Sequence, residues 1–329
     1  DAVINNSDWY LFSKYLAPEV HDNFSSKNYM SYVKDALERK VPHKKVKARD
    51  ILREFIKGRW ETGRIYCINV TRANEHTPFL DEITQSNLCM EIQLPTKPFP
   101  SLKDFVSANG KGEVAFCALA AINVSFVDID EYFAVAERTL RTVDRMIDLA
   151  VALTPQLERT MKERRSIGIG ITGLASFLYK QGLDYDGSYD SLVAVEQLAA
   201  THYYSLLQAS QKMSKESGFK VKGIDQDWLP IDTANPVTDV ADWDLDFDWE
   251  ALRGKPRKHS VLVAHMPCES SSVFSSSTNG LYPTRKRTIY KKARAGKIQF
   301  IVPEYTDDKM RVWDIDVIPY YQAVGNYSD

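Results

Sequence analysis

Apolar positions recur at helical spacing over several stretches of this chain, with short apolar runs between them. Tyr29, Tyr32, Val33 and Ala36 fall on one helical face, and Ile51, Leu52, Phe55 and Ile56 on another, so residues 27–63 read as helices that Gly63 closes. Residues 65–70 (IYCINV), 87–94 (NLCMEIQL, ended by Pro95) and 113–124 (EVAFCALAAINV) read as strands. Phe133, Ala136, Leu140, Val143, Ile147 and Ala150 form the stripe of a long helix over 130–153. A helix with a glycine-rich start is expected over 168–180. A longer one over 189–217 carries Leu192, Val195, Leu198, Ala199, Tyr203, Leu206 and Leu207 and stops at Gly218. Residues 219–258, rich in Asp, Trp and Pro, read as irregular surface, and 260–264 (SVLVA) and 298–302 (IQFIV) as short buried strands. Strands alternating with helices predict an α/β fold with parallel pairing, in which loops after strands are the expected sites.

Composition narrows the function classes. The 329 residues are 44% hydrophobic and 26% charged, ordinary for a globular protein, and 42 basic against 44 acidic side chains leave a net charge of −2. That balance argues against a nucleic-acid binder held by a general basic surface. No apolar run reaches the ~18 residues of a membrane span. The first residues, DAVINNSDWYLF, show no secretion signal. Four cysteines, at 67, 89, 117 and 268, form no Cys-x-x-Cys and do not cluster with histidines, so no metal site is expected. Each reads as a buried small hydrophobe or as a thiol for redox or radical chemistry in a reducing, cytoplasmic compartment. The chain begins at Asp1 without Met and ends at Asp329 without a helix stop, which suggests a piece of a longer protein.

Five constellations carry candidate chemistry. In an extended 86–92 segment, Asn87, Cys89 and Glu91 share one face and Leu88, Met90 and Ile92 the other. Amide, thiol and carboxylate in a row suit a polyhydroxylated substrate: the amide holds hydroxyls, the carboxylate acts as a base and the sulfur reacts. A solvated face with an incidental cysteine fits the same pattern. Cys117 stands 28 positions later in another strand-like run, where a plain buried cysteine is the simpler reading. Pro267, Cys268, Glu269, Ser270 and Ser271 follow a strand, a place for free backbone N–H groups that bind phosphate or for an ordinary helix cap. Gly168 to Gly173 match G-x-G-x-x-G, but the preceding residues are charged and the later acids, Asp184 and Asp186, lie in a turn. The nicotinamide reading is therefore rejected in favour of close helix packing. Tyr320-Tyr321 suggests an aromatic relay, yet the end of a helix or strand is the preferred reading.

At 86–92 the sequence resembles the large subunit of class I ribonucleotide reductase, and the likeness runs nearly end to end. Its motifs are TGRIY at 62–66, QSNLCMEI at 85–92, LPTKP at 94–98, GEVAFC at 112–117, RRSIGIG at 164–170, MPCESS at 266–271 and TNGLYP at 278–283. The resemblance implies an incomplete ten-stranded α/β barrel with an internal finger loop, residues 1–329 being part of the catalytic barrel domain. Cys89 resembles the cysteine that becomes a transient thiyl radical and removes the ribose 3′ hydrogen. Glu91 resembles the base acting on the 3′ hydroxyl, and Asn87 the amide that orders the substrate hydroxyls. Cys117 resembles one of two cysteines that reduce the 2′ carbon and end as a disulfide. Residues 267–271 resemble the loop holding the substrate diphosphate.

The departures also carry expectations. Neither Cys67 nor Cys268 matches the second reducing cysteine, which the family places far upstream, and Cys268 stands where serine is common. Residues 313–325 match the segment before the family's relay tyrosines, so Tyr320-Tyr321 is a decoy. The regulatory cone, the specificity and dimer region and the C-terminal redox tail are absent. The implied partners are a ribonucleoside diphosphate, the remaining large-subunit segments, a metal-containing small subunit that generates the radical, and a thioredoxin- or glutaredoxin-type dithiol. No cofactor is expected in this chain. Alone, with barrel edges unpaired, it is expected to be poorly stable and inactive. Two rivals are an assembly piece without catalysis and a nucleotide-diphosphate-binding module without radical chemistry.

Overall fold

The structure, a computed structural model, describes residues 1–24, 26, 28–235, 237–238, 247–284, 286–293, 296–304 and 316–329. The chain divides into two units, Asp1–Glu75 and His76–Asp329.

The first unit contains β1 (Asp8–Phe12), α1 (Pro18–Asp22), α2 (Tyr29–Glu38), β2 (His43–Lys47), α3 (Ala48–Thr62) and α4 (Val70–Glu75). The expected helices are present, and Gly63, left-handed at φ 64°, ends α3. The antiparallel pair β1–β2, with Asp8 opposite Lys47, has no counterpart in the sequence reading, because β2 (HKKVK) lacks an apolar alternation. Phe12, Ala17, Val20, Val33 and Ala36 form a small core. Ile51, Leu52 and Ile56 of α3 are exposed. The strand expected over 65–70 is not formed: 64–69 is irregular and Val70 starts α4, since an apolar run without a partner has nothing to pair with.

The second unit contains α5 (Leu102–Val106), β3 (Ala118–Asn123), α6 (Tyr132–Leu149), α7 (Pro155–Arg164), β4 (Ile167–Thr172), α8 (Leu174–Lys180), α9 (Tyr189–Ser217), α10 (Glu269–Phe274), β5 (Thr288–Ala293), β6 (Gly296–Ile301) and α11 (Ile318–Gly325). Strands β3 and β4 are parallel, Ala118 opposite Ile167 and Asn123 opposite Thr172, joined by the crossover through α6 and α7. Helix α6 buries Tyr132, Ala136, Leu140, Val143 and Ile147; Tyr132 takes the place expected of Phe133, and Ala150 lies outside the helix. Helix α9 is buried on nearly every side from Val195 to Ser214 and ends at left-handed Gly218.

The glycine-rich stretch is a strand, not the start of a helix. The alternation Ile-Gly-Ile-Gly-Ile-Thr in β4 is wholly buried. A Cβ on Gly170 would stand 2.5 Å from the carbonyl oxygen of Ala264, and one on Gly168 2.6 Å from the Ala264 Cβ. The glycines thus admit a neighbouring chain, not a helix or a ligand. That neighbour is 260–264, which the sequence marked as a strand. It accepts bonds from β4 (Ile167 N to Val261 O, 3.2 Å; Ile169 N to Leu262 O, 2.9 Å). The amides of Leu262 and Val263 go instead to the buried Asp329 carboxylate (2.6 and 3.2 Å), so the segment is extended without being a ladder strand. The strand expected at 298–302 is found as β6, paired antiparallel to β5, but it is largely exposed. Among the described residues the sheets are three separate pairs and close no barrel.

Candidate active site

The carboxyl ends of β3, β4 and the 260–264 segment point toward one group of loops, the usual location of sites in parallel sheets. Polar side chains stitch these ends to residues 275–280. Thr172 donates to Thr278 O (2.9 Å) and accepts from Gly280 N (3.1 Å). Asn123 accepts from the Ser277 hydroxyl (3.0 Å) and donates to Ser275 O (3.2 Å). The buried strand ends therefore hold the segment that follows 267–271.

Residues 86–92 do not form a strand. Met90 N donates to Asn87 O (3.2 Å) and Met90 is left-handed at φ 63°, so 87–90 is a tight turn. Ser86 Oγ donates to Ile92 O (2.9 Å) and Asn87 Oδ1 accepts from Ile92 N (3.3 Å), which closes the loop on itself. Ile92 and Leu94 anchor it in the interior, while Leu88 and Cys89 are exposed. The alternation expected of Asn87, Cys89 and Glu91 is replaced by a turn that carries Cys89 at its tip.

The loop and the 113–117 segment meet. Gln85, Asn87, Ile92, Thr96, Phe116 and Cys117 line a cavity of about 110 Å³. Cys117, half-buried and directly before β3, has its thiol pushed up by burial and further by the Glu91 charge. Glu91 Oε2 is buried and finds no hydrogen-bond partner among the described residues. Arg164 steadies this region: its Nε donates to Glu113 Oε1 (2.7 Å) and its Nη2 pairs with Asp81. Its neighbour Arg165 turns inward to Asp144 (2.8 Å) and Asp148 (2.9 Å).

The 267–271 loop follows the extended 260–264 segment, which is not a ladder strand, and leads into α10. Cys268 is buried, and its amide donates to Asn279 Oδ1 (2.7 Å). Asn279 Nδ2 donates to Glu269 Oε1 (2.9 Å). Ser270 and Ser271 are exposed at the start of α10, where the amides of residues 269–271 have no acceptor among the described residues. Tyr282 lies beside Pro267 and Glu269. Its phenol is pushed up by burial and by the charges of Glu269, Cys89, Cys268 and Glu91, so these groups lie within electrostatic reach of it. Tyr282, Asn123 and Lys291 belong to no local pattern of chemistry, so the sequence alone does not single them out.

Tyr320 is a core residue of α11, its hydroxyl accepting from Gly187 N (2.8 Å) and donating to Asp184 O (3.3 Å). Tyr321 packs edge-on against Tyr282 at 6.4 Å. Of the segment 313–325, residues 313–315 lie outside the described residues.

The family model described as "Ribonucleotide reductase, barrel domain" matches residues 1–317. The ribonucleoside-diphosphate reductase subunit alpha of Haemophilus influenzae is 35% identical over 95% of this chain and 43% of its own length. That of Enterobacteria phage T4 is 34% identical over 80% of this chain and 35% of its own. The ribonucleoside-diphosphate reductase 1 subunit alpha of Escherichia coli is 36% identical over 92% and 41%. The chain thus spans less than half the length of these curated relatives.

Proposed function

We propose that this chain, which belongs to the ribonucleotide reductase barrel-domain family, is the catalytic part of a ribonucleoside-diphosphate reductase large subunit. In this reading β3, β4 and the 260–264 segment are strands of a ten-stranded barrel completed by segments outside this chain, and 86–92 is its finger loop. The observation that carries the reading is the convergence of Asn87 and Cys117 on one cavity, with the Glu91 charge acting on Cys117 and both Cys89 and Glu91 acting on Tyr282.

The residues then divide the chemistry as follows. Cys89, at an exposed turn tip, loses a hydrogen atom to a radical generator on a separate small subunit and, as a thiyl, takes the 3′ hydrogen of the ribose. Glu91, whose buried oxygen lacks a donor, takes the proton of the 3′ hydroxyl, and Asn87 orders the hydroxyls. The thiol of Cys117, kept protonated by burial and by Glu91, supplies a proton as the 2′ hydroxyl leaves as water. Cys117 and a second thiol from outside this chain supply the two reducing electrons and join as a disulfide, the second thiol's hydrogen going to the 2′ carbon; Glu91 returns its proton to the 3′ oxygen, and Cys89 returns its hydrogen to the 3′ carbon and regains one from the small subunit. Net, ribonucleoside diphosphate and dithiol become deoxyribonucleoside diphosphate, disulfide and water; an external dithiol of the thioredoxin or glutaredoxin type resets the pair. The amides and hydroxyls of 267–271 hold the diphosphate.

The test is the full-length subunit assembled with its small subunit and a dithiol. Cys89→Ser is expected to abolish deoxynucleotide formation while cytidine diphosphate still binds. Turnover that survives this substitution refutes the radical assignment.

A further inference from the structure

A cavity of about 680 Å³ separates the 267–284 region from the β5–β6 hairpin; Pro267, Glu269, Ser272, Asn279, Lys286 and Lys291 are among its lining residues. Its acid is a difficulty for the diphosphate reading. Glu269 is the first residue of α10, and an unscreened carboxylate there repels any phosphate held by the following amides.

The structure answers the difficulty from the hairpin. Glu269 Oε1 accepts from Asn279 Nδ2 (2.9 Å), and Glu269 Oε2 pairs with Lys291 Nζ (3.1 Å). Lys291 Nζ also donates to the main-chain oxygen of Glu269. An ammonium has three donors, and two are used here. The Lys291 side chain is 22% exposed and that of Glu269 66%, so the ammonium is the more enclosed of the two. The pairing of β5 with β6, Lys291 opposite Ile298, sets the lysine's backbone at this height of the hairpin.

We propose that Lys291 is a substrate-binding residue: it cancels the Glu269 charge and directs its third N–H to the diphosphate held by residues 267–271. The inference rests on the diphosphate reading of that loop. It deepens that reading by adding a cation from a hairpin that neither the loop motif nor its neighbours in sequence contain.

The test is calorimetric titration of the full-length subunit with inorganic pyrophosphate and with cytidine 5′-diphosphate. Lys291→Met is expected to weaken both on the order of tenfold or more, the loss of one charge-assisted contact. Lys291→Arg, which keeps the charge, should stay within about threefold of the parent, and Glu269→Gln should bind at least as tightly as the parent. Urea unfolding midpoints of the variants separate loss of binding from loss of the fold. A Lys291→Met chain that folds and binds pyrophosphate as the parent does overturns the lysine assignment while leaving the loop as the phosphate site. A parent chain that binds neither probe overturns both.

Discussion

Replacing Asp329 with alanine tests how the 260–264 segment that leads into the 267–271 loop is held. Its carboxylate is fully enclosed and accepts from Leu262 N (2.6 Å), Val263 N (3.2 Å), Tyr203 OH (2.7 Å) and Arg257 Nη1 (3.3 Å). Removing it strands a buried guanidinium, whose remaining contacts are Tyr203 OH (3.2 Å) and Ser260 O (3.0 Å). Breaking a buried ion pair from one side costs about 3–5 kcal/mol. Each orphaned amide adds roughly 1 kcal/mol, but these losses overlap because the groups share one acceptor, so about 4 kcal/mol is the expected total. Set against the ~5–15 kcal/mol of an ordinary domain, that is a large share. Asp329→Asn keeps the volume but turns an NH₂ toward donors, and about half the loss is expected. Equilibrium urea unfolding of the full chain measures the difference, and hydrogen exchange at the Leu262 and Val263 amides localises it. A loss below about 1 kcal/mol with unchanged exchange at both amides would refute the clamp.

Three further outcomes follow from the same geometry. Gly170→Ala places a Cβ 2.5 Å from the Ala264 carbonyl oxygen, and a loss of about 1–3 kcal/mol in unfolding free energy is expected; a neutral substitution would contradict the close approach. Glu91→Gln removes the negative charge that helps keep the Cys117 thiol protonated, so the alkylation pH profile of Cys117 should move to lower pH, whereas an unmoved profile separates the two side chains. His202 is buried and neutral, its Nε2–H donating to Ile169 O (2.8 Å) and its Nδ1 accepting from Tyr132 OH (2.7 Å), and burial lowers its pKa from 6.5 to about 4. The unfolded chain therefore binds a proton that the folded chain refuses, and stability present above pH 6.5 is lost as pH falls toward 4. The loss from His202 is about 2 kcal/mol by pH 5, and His202→Gln should flatten that slope in unfolding measurements.

The parts of the fold that were legible in the chain are those in which a local period meets a local stop. Helix α9 is one, with its apolar positions and Gly218, and α6 is another. Where the period was short, it misled. The six residues of β4 carry isoleucines and glycines that fit a buried strand as well as a helix start, and only the chain at 260–265 lying against Gly168 and Gly170 decides between them. The 86–92 stretch alternates as a strand does, yet Met90 adopts a left-handed conformation that alternation cannot reveal. The single face expected of Asn87, Cys89 and Glu91 is therefore not formed: the turn carries Cys89 to an exposed tip, while Asn87 lines the cavity beside Cys117.

Residue types, their order and their spacing were enough to mark the family, the thiols and carboxylate of the candidate site, and the serine-bearing loop, because each of those signals is written in a few consecutive positions. The pairing of Lys291 with Glu269, the place of Tyr282 beside the 267–271 loop and the Asp329 carboxylate gripping the 260–264 segment came only from the folded chain. Lys291 stands 22 positions from Glu269, and Asp329 stands 67 from Leu262. Packing of the parallel strands and closure of the hairpin bring such pairs within a hydrogen bond of each other, and no short-range pattern records a contact that the rest of the chain must fold to make.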